Sequence, residues 1–381
     1  MAKERQLIID GFRGYAIICI VALHFLNHFI SIYPTDYLFP SWLNKAVWGT
    51  LYFVFEGKSY TVFALLLGVT YGIQYTRRKA RGESFNLRFV WRMFGLVIFG
   101  YINALIFPGG DPLVSFALSS VILIVASFLP TKGVLLLAGL LLIQPIEIYH
   151  ILNYYITGAA PETKNLSDAF YVQLAPYIEN GNILEMFKAN VTIGMKACLL
   201  WAYDFGRVTQ TPGLFCLGYW LYITGFFNNE RKHTLKRLPV VLVIAGVLLY
   251  IRNYVPDMLD ANVQVQAKKL FTAWYNLAGT GILSIVVLYL LQKYEGERLS
   301  RLYSFGKMSL TNYIGQNLVG SFILLPWGLN LGKYFDVTSS LLLALVIACC
   351  QIYISSMIAA RYKHGPLEGI WHKWTWIGTN K

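Results

Sequence analysis

The feature that most constrains this chain is the recurrence of apolar runs of about 17–25 residues, separated by short polar turns. A run of that length matches the hydrocarbon thickness of a bilayer. There every backbone polar group must find its partner inside the segment, so the run must be helical. The reading is an all-α polytopic membrane protein, a single domain over residues 1–381. Composition agrees, because only 13% of the residues are charged and mean hydropathy is +0.51, whereas ordinary soluble domains carry about 25% charged residues.

About ten spans are expected, at residues 12–32, 47–75, 89–107, 113–129, 134–151, 212–227, 238–251, 270–291, 310–329 and 339–360. The longest interval, 152–210, contains a moderately apolar stretch at 191–205 interrupted by Lys196 and Asp204. The net charge of +13 sits largely in blocks such as Arg77, Arg78, Lys79 and Arg81, and Arg231, Lys232, Lys236 and Arg237. In a soluble protein such a charge would suggest nucleic acid. Here it reads as the Lys/Arg bias of cytoplasmic loops. Keeping both blocks on one side requires the segment near 186–205 to re-enter or lie in the interface, with the N- and C-termini both cytoplasmic.

The basic N-terminus has no small-residue cleavage site after a short apolar core, so the first span reads as a retained anchor. The five cysteines form no CxxC pair or metal spacing and read as small apolar fillers. No internal repeat is convincing, and no phosphate-binding loop or serine-hydrolase motif occurs.

Polar groups inside the apolar runs are the functional candidates, because they are costly in hydrocarbon. Asp10 and Arg13 are three residues apart and can pair. His24 follows Arg13 by eleven residues, about three turns and roughly 16 Å along a helix. One face can thus hold a long anionic ligand, with charge bound at the mouth and chemistry done deeper. A neutral His, of ordinary pKa about 6.5, is a natural general base there. The same residues also fit a structural role, with Arg13 reaching to headgroups and His24 bonding a neighbouring helix. His24 and His28 are four apart, but two ligands do not make a metal site, so no metal is assigned.

Glu56 and Lys58 in the second span point in different directions, and each needs a partner elsewhere. Asn312 and Gln316 share a face, suited to a ligand's amides or to interhelical bonding. In the tail, Gly365 and Pro366 read as a helix entrance. His364, Glu368 and His372 then follow at four-residue steps, either a ligand ladder or part of an interfacial helix with Trp371, Trp374 and Trp376.

The stretches IDGFRGYAI, FVFEGKSYTVFALLLGVTYG, PGGDPL, FGKMSLTNYIGQN and HGPLEGIWHKWT resemble the bacterial membrane family catalogued as domain of unknown function 418. That family is similar to a wider superfamily of transmembrane acyltransferases, including the family-3 acyltransferases and heparan-α-glucosaminide N-acetyltransferase. The resemblance implies a ten-helix core in the bacterial inner (cytoplasmic) membrane. It further implies transfer of an acyl group from cytoplasmic acyl-CoA, as co-substrate, to an acceptor on the other side. The family-3 enzymes carry a basic residue, ten spacers and a catalytic His in the first helix, which Arg13 and His24 match. The nearer family usually has Asn at the His24 position, and this chain departs from it toward the acyltransferases.

The expected function is therefore a membrane acyltransferase acting on a cell-envelope glycan or lipid headgroup. His24 would be the base, and Asp10, Arg13, Lys58, Asn312 and Gln316 would be the donor-binding candidates. Glu56, His28, Asp111, His364 and Glu368 are supporting candidates. The expected partners are the bilayer, the acyl donor and the acceptor, with a homodimer compatible with the sequence. A transporter or binding protein for a small anion or lipid is the alternative for the same intramembrane charges.

Overall fold

The computed structural model describes residues 2–27, 38–228, 231–294 and 299–378. Among these the chain is helical, without strands. The first half holds α1 (Ala2–Asn27), α2 (Ser41–Phe55), α3 (Lys58–Lys79), α4 (Asn86–Ile106), α5 (Pro112–Ser119), α6 (Ile122–Ser127), α7 (Thr131–Leu142), α8 (Pro145–Thr157) and α9 (Asp168–Glu179). Then come α10 (Ile183–Ala189), α11 (Met195–Asp204), α12 (Arg207–Ile223), α13 (Arg231–Lys236), α14 (Leu238–Tyr254), α15 (Gln264–Lys293), α16 (Ser300–Lys307), α17 (Ser309–Leu324), α18 (Val337–Arg361) and α19 (Pro366–Thr375).

Among the described residues, six helical segments are long and apolar enough to cross a membrane: Leu7–Asn27, Ser41–Lys79, Asn86–Ile106, Thr234–Met258, Gln264–Lys293 and Val337–Arg361. The pair α7 and α8, bent by 52°, makes a seventh if it is one span. The expected spans at 113–129, 212–227 and 310–329 fall on shorter helices. α12 has 17 residues and α17 has 16, and both are rich in buried positions. They are interior helices, packed by protein along much of their length.

The second expected span is two helices. Gly57 takes φ +70, a left-handed conformation open to glycine, and a Cβ there would lie 2.3 Å from the Asn276 amide. The helix therefore stops at Glu56 and restarts at Lys58. The Lys58 ammonium donates to the Phe53 carbonyl at 2.8 Å and to Asn276 Oδ1 at 3.4 Å. It thus satisfies the end of α2, where helix carbonyls lack partners.

Of the stretch at 186–205, residues 186–204 are helical, with a π-turn at Asn190–Gly194 joining α10 to α11. It is tied to the turn after α4. The Asn190 amide donates to the Leu105 carbonyl at 3.1 Å, and Gly194 lies directly over Gly110.

Close backbone approach sets the centre of the bundle. A Cβ on Gly218 would meet the Leu65 carbonyl at 2.0 Å, and one on Gly68 would meet the Phe215 carbonyl at 2.0 Å. Small residues let α3 and α12 touch in this way, as in other membrane helix pairs. These helices run in the same direction, since Tyr60 meets Thr211 and Gly72 meets Tyr222. α1 runs against α3, with Arg13 beside Thr70 and Cys19 beside Ser59. At the other end of the bundle, Asp336 caps α18. It accepts from Ser339 N at 2.9 Å while Ser339 Oγ accepts from Asp336 N at 2.8 Å, a capping box. Phe39 N also donates to Asp336, at 2.7 Å, which anchors the entry to α2.

Candidate functional site

A cavity of about 450 Å³ opens where the C-terminal end of α3, the first half of α4, the α16–α17 junction and α19 meet α1. Its cations are Arg13, Arg77, Arg78, Arg81, Arg92 and Lys307, against two acids, Asp10 and Glu368. Its floor is apolar, with Phe63, Leu66, Leu67, Phe89 and Met93. Both acids are already engaged. Arg13 donates one arm to Asp10 at 2.7 Å and the other to Thr70 Oγ1 at 2.6 Å. Glu368 accepts from Leu310 N at 2.7 Å, Thr311 N at 2.9 Å and Thr311 Oγ1 at 2.6 Å. It therefore caps the start of α17 across the cavity, where unpaired N–H groups favour a carboxylate. Arg78 is paired with Glu83, and the remaining charge of the lining is positive.

α19 forms one wall of this cavity. The Arg92 guanidinium lies 3.6 Å over the Trp371 ring and that of Arg78 lies 3.9 Å over Trp376. Trp371 Nε1 donates to the Arg92 carbonyl at 2.9 Å, and Trp374 Nε1 donates to the Trp91 carbonyl at 3.0 Å. The His364 and His372 rings stack at 4.8 Å. Burial, then the charges of Lys307 and Lys363, hold the His364 imidazole below its usual pKa, against the pull of Glu368. His364 therefore adds donor and acceptor capacity at pH 7 rather than charge.

His24 is not in the wall of this cavity. It lies farther along α1, packed on Phe107 at 4.7 Å and edge-on to Tyr313 at 5.6 Å between ring centres. Tyr313 in turn stacks on Phe63 at 6.5 Å, and Phe63 is part of the cavity floor. An aromatic partition of Phe63 and Tyr313 thus separates the basic cavity from the imidazole.

Behind His24 runs a chain of side-chain hydrogen bonds. His24 Nδ1 is 2.9 Å from Asn317 Oδ1, and Asn317 Nδ2 donates to Asn103 Oδ1 at 3.2 Å. Asn103 Nδ2 donates to Asp111, which also accepts from Leu113 N as the N-cap of α5. The carboxylate at the end gives the chain a direction, because it can only accept. Each amide must then turn its NH2 toward Asp111 and its oxygen toward His24. The carbonyl oxygen of Asn317 can only accept, so the proton sits on His24 Nδ1 and Nε2 is the basic nitrogen. Burial pushes the Asp111 carboxyl up to about 7, against the lowering effects of the Leu113 N–H and the Asn103 amide.

The residues singled out from sequence do not all come together. Asp10, Arg13, His364 and Glu368 line the basic cavity. His24 and Asp111 are joined by the amide chain. Glu56 and Lys58 flank the α2–α3 break, outside the cavity wall, while Asn312 bonds the Phe305 carbonyl at 2.9 Å and Ser355 Oγ at 3.0 Å, linking α17 to α18. Gln316 is fully buried and both its amide atoms lack hydrogen-bond partners. His28 lies outside the described residues. Among the described residues no three His, Cys, Asp or Glu side chains converge as a metal set.

Sequence reasoning missed Arg92, Asn103, Tyr313 and Asn317. The signal for the two asparagines was present, since an amide in an apolar run needs a partner as a charge does. Arg92 and Tyr313 gain their meaning only from what α19 and α1 place beside them.

Residues 221–378 match the family model described as Protein of unknown function (DUF418). Three curated relatives align along nearly the whole chain. "Uncharacterized protein YxaH" of Bacillus subtilis is 23% identical, over 99% of this chain and 96% of its own length. "Uncharacterized 39.9 kDa protein in amylase 3'region" of Bacillus acidopullulyticus is 27% identical, over 98% and 94%. "Uncharacterized protein YeiB" of Escherichia coli is 24% identical, over 98% and 96%. No solved structure matches the chain. The chain is thus similar over its C-terminal 158 residues to the DUF418 model and end to end to these bacterial proteins.

Proposed function

We propose that the protein is a membrane acyltransferase that moves an acyl group, most simply acetyl, from cytoplasmic acyl-CoA to an extracytoplasmic glycan or lipid headgroup. The observation that carries this reading is the pairing of an anion cavity with a directed imidazole on one helix. Arg13 sits in the cavity and His24 lies eleven residues farther on α1, a helical distance of roughly 16 Å. The cavity's arginines suit the phosphates of CoA, because planar guanidinium groups match phosphate oxygens. The long arm of the donor then extends past the Phe63–Tyr313 partition toward His24.

In the step itself, His24 Nε2 takes the proton of the acceptor hydroxyl or amine. The acceptor atom bonds to the thioester carbonyl carbon, the C–S bond breaks, and His24 returns the proton to the leaving thiolate. Asn317, Asn103 and Asp111 hold the tautomer that this requires.

Ten crossings in the inner membrane, with both ends cytoplasmic, accompany the reading. The cavity end carries the Arg77, Arg78, Lys79 and Arg81 block, which belongs inside by the positive-inside rule. Transfer of label from acetyl-CoA to an envelope fraction by the reconstituted protein tests the reading. The wild type transfers label and His24→Ala loses at least about 100-fold, as expected for removal of a general base. Equal rates in the two proteins would remove His24 from the mechanism.

A further inference from the structure

We propose a second anion subsite, built around Arg207, that receives a carboxylate or phosphate on the acyl acceptor. Arg207 opens α12 directly after Gly206, whose φ is +65. It is 7% exposed. The Tyr60 ring lies 4.6 Å from its guanidinium and the Trp201 ring 5.7 Å away. One arm, Nη1, donates to Gln210 Oε1, and Nε has no hydrogen-bond partner. No Asp or Glu among the described residues lies within ion-pair distance, and Glu56 acts on it only at longer range.

The contrast with the other interior cations is informative. Arg13 has Asp10, and Lys58, which also has no acid within ion-pair distance, has its ammonium held by a backbone carbonyl and Asn276, whereas Arg207 Nε has no partner. A buried cation without an anion is costly, and the cost is met when an anion binds. The arm held by Gln210 leaves the Nε edge of the fork as the docking edge. That edge presents two parallel N–H donors, the geometry that carboxylate and phosphate oxygens take.

Position gives the subsite its role. Tyr60 precedes Thr70 by ten residues on α3, about 15 Å along the helix. Arg207 is therefore remote from the basic cavity and lies on the His24 side of the aromatic partition. A second orphaned group lies between them. The Tyr313 hydroxyl is unpartnered, its residue is 3% exposed, and it is within electrostatic reach of Tyr60 and Asp111. Its ring contacts His24. An anion on Arg207 would hold a neighbouring hydroxyl or amine toward the imidazole. The identity of the anion's carrier as acceptor rests on the acyl-transfer reading, whereas anion binding itself does not.

The test uses the full chain, purified in detergent, with thermal unfolding followed at constant ionic strength. The probes are sodium glucuronate for a sugar carboxylate and inorganic phosphate for a phosphate headgroup, each on the order of 10 mM, where a weak ligand already stabilises by mass action. The wild type and Arg13→Gln should both gain about 2 °C or more with at least one probe, and the more effective probe names the class. Arg207→Met should melt at or above the wild type without probe and respond clearly less than it, keeping only what the basic cavity contributes. Arg207→Lys, which keeps the charge and loses the fork, should fall between the two. A response equal in Arg207→Met and wild type, or none in the wild type, would overturn the subsite. Absence of CoA binding would count against acyl transfer and leave this result standing.

Discussion

At the scale of single residues, the direction of the hydrogen-bond chain decides what His24 can do. A histidine in a membrane helix can be base, ligand or structural donor, and its partners decide which. Asn317 and Asn103 are symmetric donors and acceptors, and only the carboxylate of Asp111 breaks that symmetry. Asp111→Asn is therefore the informative substitution. Asn is as good an N-cap as Asp, so α5 keeps its start, while the polarity of the chain is lost. Transfer should fall at least about tenfold with donor affinity unchanged, since a catalytic group in the wrong tautomer is poorly placed.

The pH dependence follows from the same carboxyl, which burial raises to about 7. For an acid raised in the folded state, the associated stability is full below the unfolded value of 3.8 and is lost as pH rises through about 7. The directing carboxylate forms over that upper range. Transfer should climb through pH 7 in the wild type while thermal stability declines, and both trends should flatten in Asp111→Asn.

At the scale of elements, two contacts position the site. α19 is held to α17 by Glu368 and to α4 by Trp371 and Trp374. Glu368→Ala removes the cap of α17 at a cost of about 1 kcal/mol. It also frees α19 to swing, so donor affinity should fall further than stability does, measured by binding and melting on one preparation. The second contact is the α3–α12 crossing. A Cβ on Gly218 meets a backbone carbonyl 2.0 Å away, which no rotamer change relieves. Gly218→Val should lower stability by about 1–3 kcal/mol or more, visible as loss of the monodisperse peak in size exclusion. Gly139, which has open space around it, should tolerate the same change.

At the scale of the molecule, the all-helical membrane character was legible because 17–25 apolar residues leave few other options. The Arg13–His24 spacing was legible because helical rise is fixed. Span boundaries were less so. Hydropathy does not distinguish a lipid-facing helix from one packed inside the bundle, and α12 and α17 are packed inside. Nor does it register the break at Gly57, which a single φ angle decides. The carbonyl that Lys58 caps was not legible either, because that helix end exists only once α2 stops. Arg207 was hidden in the long interval whose fold depends on contacts with residues 105–110. Membrane orientation can be checked by single-cysteine labelling. Under ten crossings Arg81→Cys should react only from the cytoplasmic side and Asn262→Cys only from the other, and the reverse pattern would invert the topology.

In the acyl-transfer proposal the basic cavity holds an acyl donor for His24. Calorimetric titration of the purified protein with acetyl-CoA tests it directly. Binding in the micromolar range is expected for the wild type and for His24→Ala. A loss of at least about tenfold is expected for Arg13→Gln and Arg92→Gln, matching the removal of one charge-assisted contact. No detectable binding by the wild type, or equal binding by all four proteins, would contradict it.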